Sequence, residues 1–291
     1  MNFSNDTKTK VCIVGLGKMG KIHLKYVKQL GVDWYWNDVS KDIDHVGNSN
    51  FLDIDQFDKV GITHVIISTP EKTHFEIYES INRKNPGNSF FYMIEKPAVV
   101  SRENLHILDR NNVSTGMVER FNPAISSLKN VIKGSEVLSI DFVRCSARPI
   151  SNTSVSSFID VGIHDIDLFN FVLGNPEIAS KNIMINSDTF CLNIQLKSGT
   201  IARFIWSNET FYKERKVFVR EKGCCIEADL ITQTLNRYSI ASEINPVNTT
   251  QEIYVEKTSP ILLEIMNFLN SNKVDAKSSH ELYFDVMDMA N

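Results

Sequence analysis

The chain has 291 residues, a formal net charge of −4, 42% hydrophobic and 23% charged residues. Those proportions are typical of a water-soluble globular protein of one large or two ordinary domains. They leave no basic footprint for nucleic acid and no stretch long enough to span a membrane.

The first ten residues are polar, and the run after them, Val11-Cys12-Ile13-Val14, is too short for a signal peptide. The five cysteines, Cys12, Cys145, Cys191, Cys224 and Cys225, are odd in number and show no CxxC spacing. Reduced thiols and a cytoplasmic location are expected. Without HExxH or a Cys/His cluster, no metal is expected.

Residues 10–15 read as a buried strand. Gly15-Leu16-Gly17-Lys18-Met19-Gly20 follows, then a helical pattern from Lys21 to Leu30. GxGxxG between strand and helix is the frame in which the motif binds a dinucleotide. Gly15 makes the tight turn, Gly17 lets backbone approach a pyrophosphate, and Gly20 lets helix and strand pack closely. The N-terminus of the helix that follows presents free N–H groups that suit phosphate. The next strand, Asp33 to Asn37, ends at Asp38, 18 residues after Gly20. An acid there bonds the adenine-ribose hydroxyls and repels a 2′-phosphate, which favours NAD over NADP. Lys41 would soften that repulsion, and Asp38 also reads as a turn residue.

Val65-Ile66-Ile67 is another buried strand, ending in Ser68-Thr69-Pro70. Small residues and a proline leave room for a nicotinamide; an ordinary strand-to-helix turn is the equal alternative. Glu71 to Asn82 reads as a helix carrying His74, whose default role is surface or capping. Phe90 to Ile94 delivers Glu95-Lys96 and then Pro97. A charged pair at a strand's carboxyl end is either solvated or placed at the ligand crevice of a parallel sheet. A helix through Arg102 to Arg110 and a strand Ser114 to Val118 complete an alternation that signifies a doubly wound parallel sheet.

After Glu119-Arg120-Phe121-Asn122, Pro123 begins a helix, Ala124 to Lys133, closed by Gly134. The pattern then changes. Residues 136–148, 181–187, 189–196, 201–207, 215–222 and 233–238 read as strands with turns between them. That implies a second, α+β domain with a largely antiparallel open sheet. The boundary falls near residue 120, giving domains 1–120 and 121–291. A polar loop, 151–157, leads into a helix from Phe158 to Leu173 ended by Gly174. Asp160 and His164, four apart, share a helical face that Asp167 continues. A surface Asp–His pair is the alternative. Helical patterns Pro260 to Leu269 and Ser279 to Ala290 end the chain, packing on a domain interface or sheet face.

Taken together, Gly15 through His23, Ser68-Thr69-Pro70 with His74, Glu95-Lys96-Pro97, and Asp160 through Leu168 resemble the glucose–fructose oxidoreductase / inositol dehydrogenase / rhizopine-catabolism family of nicotinamide-dependent dehydrogenases. The stretch 116–124, Gly-Met-Val-Glu-Arg-Phe-Asn-Pro-Ala, is similar to the branch that oxidises UDP-N-acetylglucosamine. The resemblance implies a Rossmann domain followed by a substrate-binding and oligomerisation domain. It implies an NAD-dependent oxidoreductase that moves hydride between a secondary alcohol of a sugar or nucleotide-sugar and nicotinamide.

Its catalytic set carries over as Lys96, Asp160 and His164. Alcohol oxidation needs a base for the hydroxyl proton, the role of neutral His164. It needs a cation beside the developing alkoxide, the role of Lys96, while Asp160 orients His164 or binds a neighbouring hydroxyl. Gly15, Gly17, Lys18, Met19, Gly20, Asp38, Ser68, Thr69, Pro70, His74, Glu95 and Lys96 are expected at the cofactor. Arg120 and Asn122 join Lys96, Asp160 and His164 as substrate contacts, with an ordered hinge as the alternative. A homo-oligomer, dimer or tetramer, is expected. The competing functions are a nucleotide- or sugar-sensing protein without catalysis, and a reductase of a non-sugar substrate.

Overall fold

The structure, a computed structural model, describes residues 9–40, 48–147, 158–240 and 248–290. The expected loop 151–157 and Lys41 lie outside the described residues. The chain forms two compact units. The first runs to Val118 and takes in Ile261–Lys277.

In the first unit the alternation holds: β1 (Lys10–Val14), α1 (Lys18–Gln29), β2 (Asp33–Asn37), α2 (Phe57–Val60), β3 (His64–Ile67), α3 (His74–Lys84), β4 (Phe91–Glu95) and β5 (Val113–Gly116). The sheet order is β2-β1-β3-β4-β5, and every neighbouring pair is parallel. β3, β4 and β5 are buried along their whole length, as expected of strands covered on both faces. The helix expected over 102–110 is instead a 3-10 segment, Arg102–Asp109. Its bonds from Asn104 to Ser101 and from Arg110 to Ile107 are of the tighter i→i+3 kind.

One face of this sheet carries Val11, Ile13, Ile66, Phe91 and Met93. Leu24 and Val27 of α1 cover it. So do Ile265, Phe268 and Leu269, from a helix near the end of the chain, Pro260–Leu269. That apolar face is why the chain returns to the first unit after leaving it. Beyond the returning helix, Val274 pairs with edge strand β5: its N–H donates to Ser114 Oγ (2.9 Å) and its carbonyl accepts from Thr115 N–H (3.2 Å). Pairing occupies an edge that would otherwise be open.

The second unit comprises Glu119–Pro260 and the last helix. In chain order it holds α4 (Pro123–Val131), β6 (Val137–Ala147), α5 (Ile163–Leu173), β7 (Ile178–Asn186), β8 (Thr189–Leu196), β9 (Ile201–Ser207), β10 (Glu209–Glu221), β11 (Cys224–Asp229), β12 (Thr234–Ile240) and β13 (Asn248–Ile253). With the returning helix as α6, the last helix is α7 (Lys277–Ala290). The sheet order is β13-β12-β11-β10-β6-β9-β8-β7, antiparallel throughout except for the parallel pair β6–β9. The change from alternating elements to consecutive strands therefore marks the change of architecture, as the sequence pattern implied.

β9 shows how this sheet is built. Ala202, Phe204 and Trp206 are fully buried, while Ile201, Arg203 and Ile205 between them are exposed. On the buried face Phe142 stacks on Phe204 at 4.9 Å, and Phe158 packs on Trp206 at 5.3 Å. α4 ends at Val131 rather than Lys133, and Gly134 opens a 3-10 turn instead of closing the helix.

Candidate active site

In the first unit the glycine loop sits where β1 meets α1. Gly15 has φ +90°, and a Cβ there would stand 2.7 Å from Thr69 Cγ2. A Cβ on Gly20 would lie 1.9 Å from the Gly15 carbonyl oxygen, so only glycine lets α1 pack this closely. A Cβ on Gly17 would meet nothing within 4 Å. Gly17 and Lys18 are exposed and Met19 is half-buried. α1 starts at Lys18, three residues before the sequence pattern suggested, so the helix N-terminus lies inside the motif. No side chain caps it, which leaves its first N–H groups for a ligand.

Asp38 lies at the end of β2, half-buried. Its Oδ2 accepts the Leu16 N–H at 2.7 Å and its Oδ1 accepts the Ser40 N–H at 3.0 Å. The acid therefore braces the glycine loop, and each oxygen keeps a further lone pair. Ser68 Oγ donates to the Gly15 carbonyl at 2.8 Å, tying the turn after β3 to the same loop. Thr69 is half-buried and Pro70 exposed. His74 is no surface residue. It is buried, with Nε2 2.8 Å from the Thr69 carbonyl oxygen and Nδ1 3.0 Å from that of Pro97.

Glu95 closes β4 and is buried. Its Oε1 lies 2.6 Å from Nε2 of the fully buried His23, and its Oε2 accepts the Lys96 N–H at 3.3 Å. Burial pushes this carboxyl up. The His23 hydrogen bond and charge, the Lys96 N–H and the Lys96 ammonium outweigh burial and hold it below the usual range. Lys96 is half-buried at the carboxyl end of the strand, and its bond to Pro97 is cis.

In the second unit the segment expected as one helix from Phe158 is two. Phe158–Gly162 is a π-helical turn and α5 begins at Ile163. The i,i+4 argument for Asp160 and His164 assumed α-geometry; an i→i+5 turn between them shifts the phase. The Asp160 side chain lies outside what the structure describes. His164 is half-buried in the first turn of α5.

Two residues singled out from the sequence are engaged inside this unit. Arg120 forms a two-pronged pair with Asp167, Nε to Oδ2 and Nη2 to Oδ1, both at 2.6 Å. Asn122 is buried: Oδ1 accepts the Ala124 N–H at 3.1 Å, capping α4, and Nδ2 donates to the Leu230 carbonyl at 2.9 Å.

A buried network lies beside them. Arg144 bonds Asp165 through Nη2 (2.7 Å) and Glu119 through Nη1 (2.9 Å), and Trp206 Nε1 donates to Asp165 at 2.8 Å. Burial pushes the Glu119 carboxyl up, but the charges of Arg144 and Arg215 outweigh it and hold it low. Nothing in the local sequence marks these residues, because Glu119, Arg144, Asp165 and Trp206 meet only across the sheet.

No family model matches the sequence, and no curated protein matches it. Solved structures match the fold along nearly the whole chain. The UDP-N-acetylglucosamine 3-dehydrogenase GnnA from Acidithiobacillus ferrooxidans superposes with a TM-score of 0.81 at 18% identity, covering 96% of this chain and 97% of that one. A dehydrogenase, MviM, from Clostridium difficile gives 0.77 at 14% identity, covering 97% and 99%. A levoglucosan dehydrogenase in complex with NADH and L-sorbose gives 0.76 at 14% identity, covering 97% and 96%. The chain thus has the two-unit fold of these proteins: a Rossmann-like parallel sheet followed by a mostly antiparallel one.

Proposed function

We propose that the chain is an oxidoreductase of the glucose–fructose oxidoreductase / inositol dehydrogenase / rhizopine-catabolism family. It transfers hydride between a secondary alcohol of a sugar or nucleotide-sugar and the nicotinamide of NAD. The observation that carries this reading is the glycine loop: two glycine positions are filled by neighbouring backbone, and the third, Gly17, is open at an uncapped helix N-terminus. That pattern fits a pyrophosphate. The names of two matched structures, acting on UDP-N-acetylglucosamine and levoglucosan, support a sugar-type substrate.

In this reading Gly15, Gly17, Lys18, Met19 and Gly20 hold the pyrophosphate and Asp38 the adenine ribose. Ser68, Thr69, Pro70 and His74 shape the nicotinamide side. Bound NAD supplies the hydride acceptor. His164, as the neutral imidazole, takes the proton from the substrate hydroxyl. The Lys96 ammonium stabilises the charge that develops on the same oxygen. Asp160 orients His164 or binds a neighbouring hydroxyl. Arg120 acts through its pair with Asp167, and Asn122 through the cap of α4.

The exposed alternation on β9 supports a homo-oligomer, dimer or tetramer. Met184, Cys191 and Ile205 are register neighbours across β7, β8 and β9, and Met184 and Ile205 are exposed. An apolar sheet face of this kind suits burial against a second copy.

The test is native mass spectrometry of the purified protein, followed by incubation with NAD and UDP-N-acetylglucosamine and other sugars while NADH absorbance is recorded. A retained nucleotide or nucleotide-sugar and substrate-dependent NADH formation support the reading. Nucleotide-sugar binding without NADH formation would instead make the protein a sensor.

A further inference from the structure

We propose that His23 and His74 are positioning residues for Lys96: two buried imidazoles that pin the chain on either side of it, one from each face of the parallel sheet. The inference rests on the reading of Lys96 given above. α1 links β1 to β2 and α3 links β3 to β4, and these steps run in opposite directions across the sheet order β2-β1-β3-β4-β5. Right-handed crossovers therefore place the two helices on opposite faces. His23 comes from α1 and His74 from α3.

On the α1 side, the Glu95 carboxylate is a bridge. One oxygen is 2.6 Å from His23 Nε2 and the other accepts the Lys96 N–H at 3.3 Å. The carboxyl group has little room to turn elsewhere. A Cβ on Gly116 of β5 would already stand 3.4 Å from Glu95 Cδ and Oε1. On the α3 side, His74 spans the Pro97 carbonyl at 3.0 Å and the Thr69 carbonyl at 2.8 Å, so the turn after β4 is stapled to the turn after β3. Lys96 sits between the two fixed points, half-buried.

Packing alone does not call for these rings. His23 is fully buried, and among the described residues its Nδ1 has no hydrogen-bond partner. A leucine would fill such a site without an orphaned nitrogen, but it would leave the Glu95 carboxylate without its ring partner. Both oxygens facing His74 are acceptors, so both contacts are hydrogen bonds when both ring nitrogens carry protons. Each imidazole makes a directional bond to a residue next to Lys96, and such bonds hold a side chain in a productive geometry.

The experiment measures how fast trinitrobenzenesulfonate modifies Lys96 in the full chain, by peptide mass spectrometry. Lys10, whose Nζ donates to the Val60 carbonyl in the same unit, is the internal reference. NADH affinity is titrated by fluorescence in parallel. His23→Leu and His74→Phe are expected to raise the Lys96 rate relative to Lys10 by about threefold or more, as a loosened strand end exposes the amine. In His23→Leu, NADH affinity should stay within about threefold, because the pyrophosphate and ribose are held elsewhere. His23→Gln, which restores an N–H toward Glu95, should return the rate close to the original. Unchanged Lys96 labelling in both disruptive variants would overturn the proposal. So would equal acceleration of Lys10 and Lys96, which is general loosening. If either disruptive variant does not fold, His74→Gln decides: it must raise the Lys96 rate relative to Lys10 by more than about twofold over the unaltered protein, while His23→Gln stays near the original. In the unaltered protein, NADH should slow Lys96 labelling. Its failure to do so would remove Lys96 from the nicotinamide and sink the functional reading, whatever the histidine variants show.

Discussion

The Asp38 carboxylate accepts the Leu16 N–H at 2.7 Å, so the acid expected to choose the cofactor also braces the loop that would hold it. Two variants separate these roles. Asp38→Ala removes charge and brace together, so NADH binding should weaken while the preference for NADH over NADPH narrows. Asp38→Asn keeps an acceptor for Leu16 and removes only the charge. It should narrow the preference by about tenfold, or 1.4 kcal/mol, with less loss of NADH affinity. Fluorescence titration of both nucleotides checks this. An unaltered protein that prefers NADPH would show that Asp38 is only a turn residue.

Gly17 and Gly20 should respond in opposite ways to alanine. Gly20→Ala puts a Cβ 1.9 Å from the Gly15 carbonyl oxygen, so the first unit must shift or unfold. Gly17 has a φ of −66° and open space beside it, so Gly17→Ala should leave the melting temperature within a few degrees. Its Cβ would stand where the pyrophosphate approaches, and NADH binding should fall at least about tenfold. A Gly17→Ala protein that bound NADH normally would argue against a pyrophosphate at this helix end.

Arg120 and Asp167 make a bidentate pair in which the carboxylate is almost fully buried and also accepts from Ser279 Oγ at 2.8 Å. Arg120→Ala leaves that carboxylate with a hydroxyl alone. Urea unfolding should show a loss of about 3–5 kcal/mol, the usual scale for breaking a buried pair. Arg120→Lys should recover part of it, since a point charge does not reproduce the fork. Unchanged stability with a raised KM would make Arg120 a substrate contact first.

His64 gives the first unit a pH dependence. Its ring lies on β3, T-shaped against Phe268 at 5.0 Å. Burial lowers its pKa from 6.5 to about 4, with a backbone hydrogen bond at Phe268 acting the other way. Between those values the unfolded chain binds the proton and the folded one does not. Stability is therefore full above about pH 6.5 and declines as pH falls toward 4, by about 3 kcal/mol in all. Thermal melts at pH 7, 6 and 5 should show this decline, and His64→Phe should flatten it. The buried carboxylates contribute at lower pH, near and below 4.5, so the two windows separate.

The first unit was the more legible in sequence because its signals are local. Strand, glycine loop and helix follow one another in Lys10–Gln29, and buried parallel strands read as apolar runs. The turn at 158–162 was not legible, since nothing in Phe-Ile-Asp-Val-Gly distinguishes a π-turn from the start of an α-helix. Strand β13, Asn-Thr-Thr-Gln-Glu-Ile, is silent in the sequence because an edge strand exposed along most of its length carries no apolar alternation. β11 hides behind Gly223, which has φ +86° and makes the turn that joins it to β10. Asp165 and Arg144 gave no signal because their partnership is one of tertiary packing. The default reading of His74 as a surface or capping residue misses its burial because its two carbonyl partners lie 5 and 23 residues away.

The central claim is that Lys96 and His164 act on one substrate oxygen as hydride leaves for NAD. Single-turnover NADH formation, measured with the sugar or nucleotide-sugar that gives turnover, tests it in the unaltered protein, Lys96→Ala, His164→Ala and the double variant. Each single variant should lose about two to four orders of magnitude in rate while NAD binding stays nearly intact. The His164→Ala loss should shrink as pH rises and hydroxide takes over part of the base's task. The double variant should lose far less than the product of the two, because the residues act as a unit. Near-normal rates in either single variant would make that residue structural, and near-normal rates in both would contradict the account.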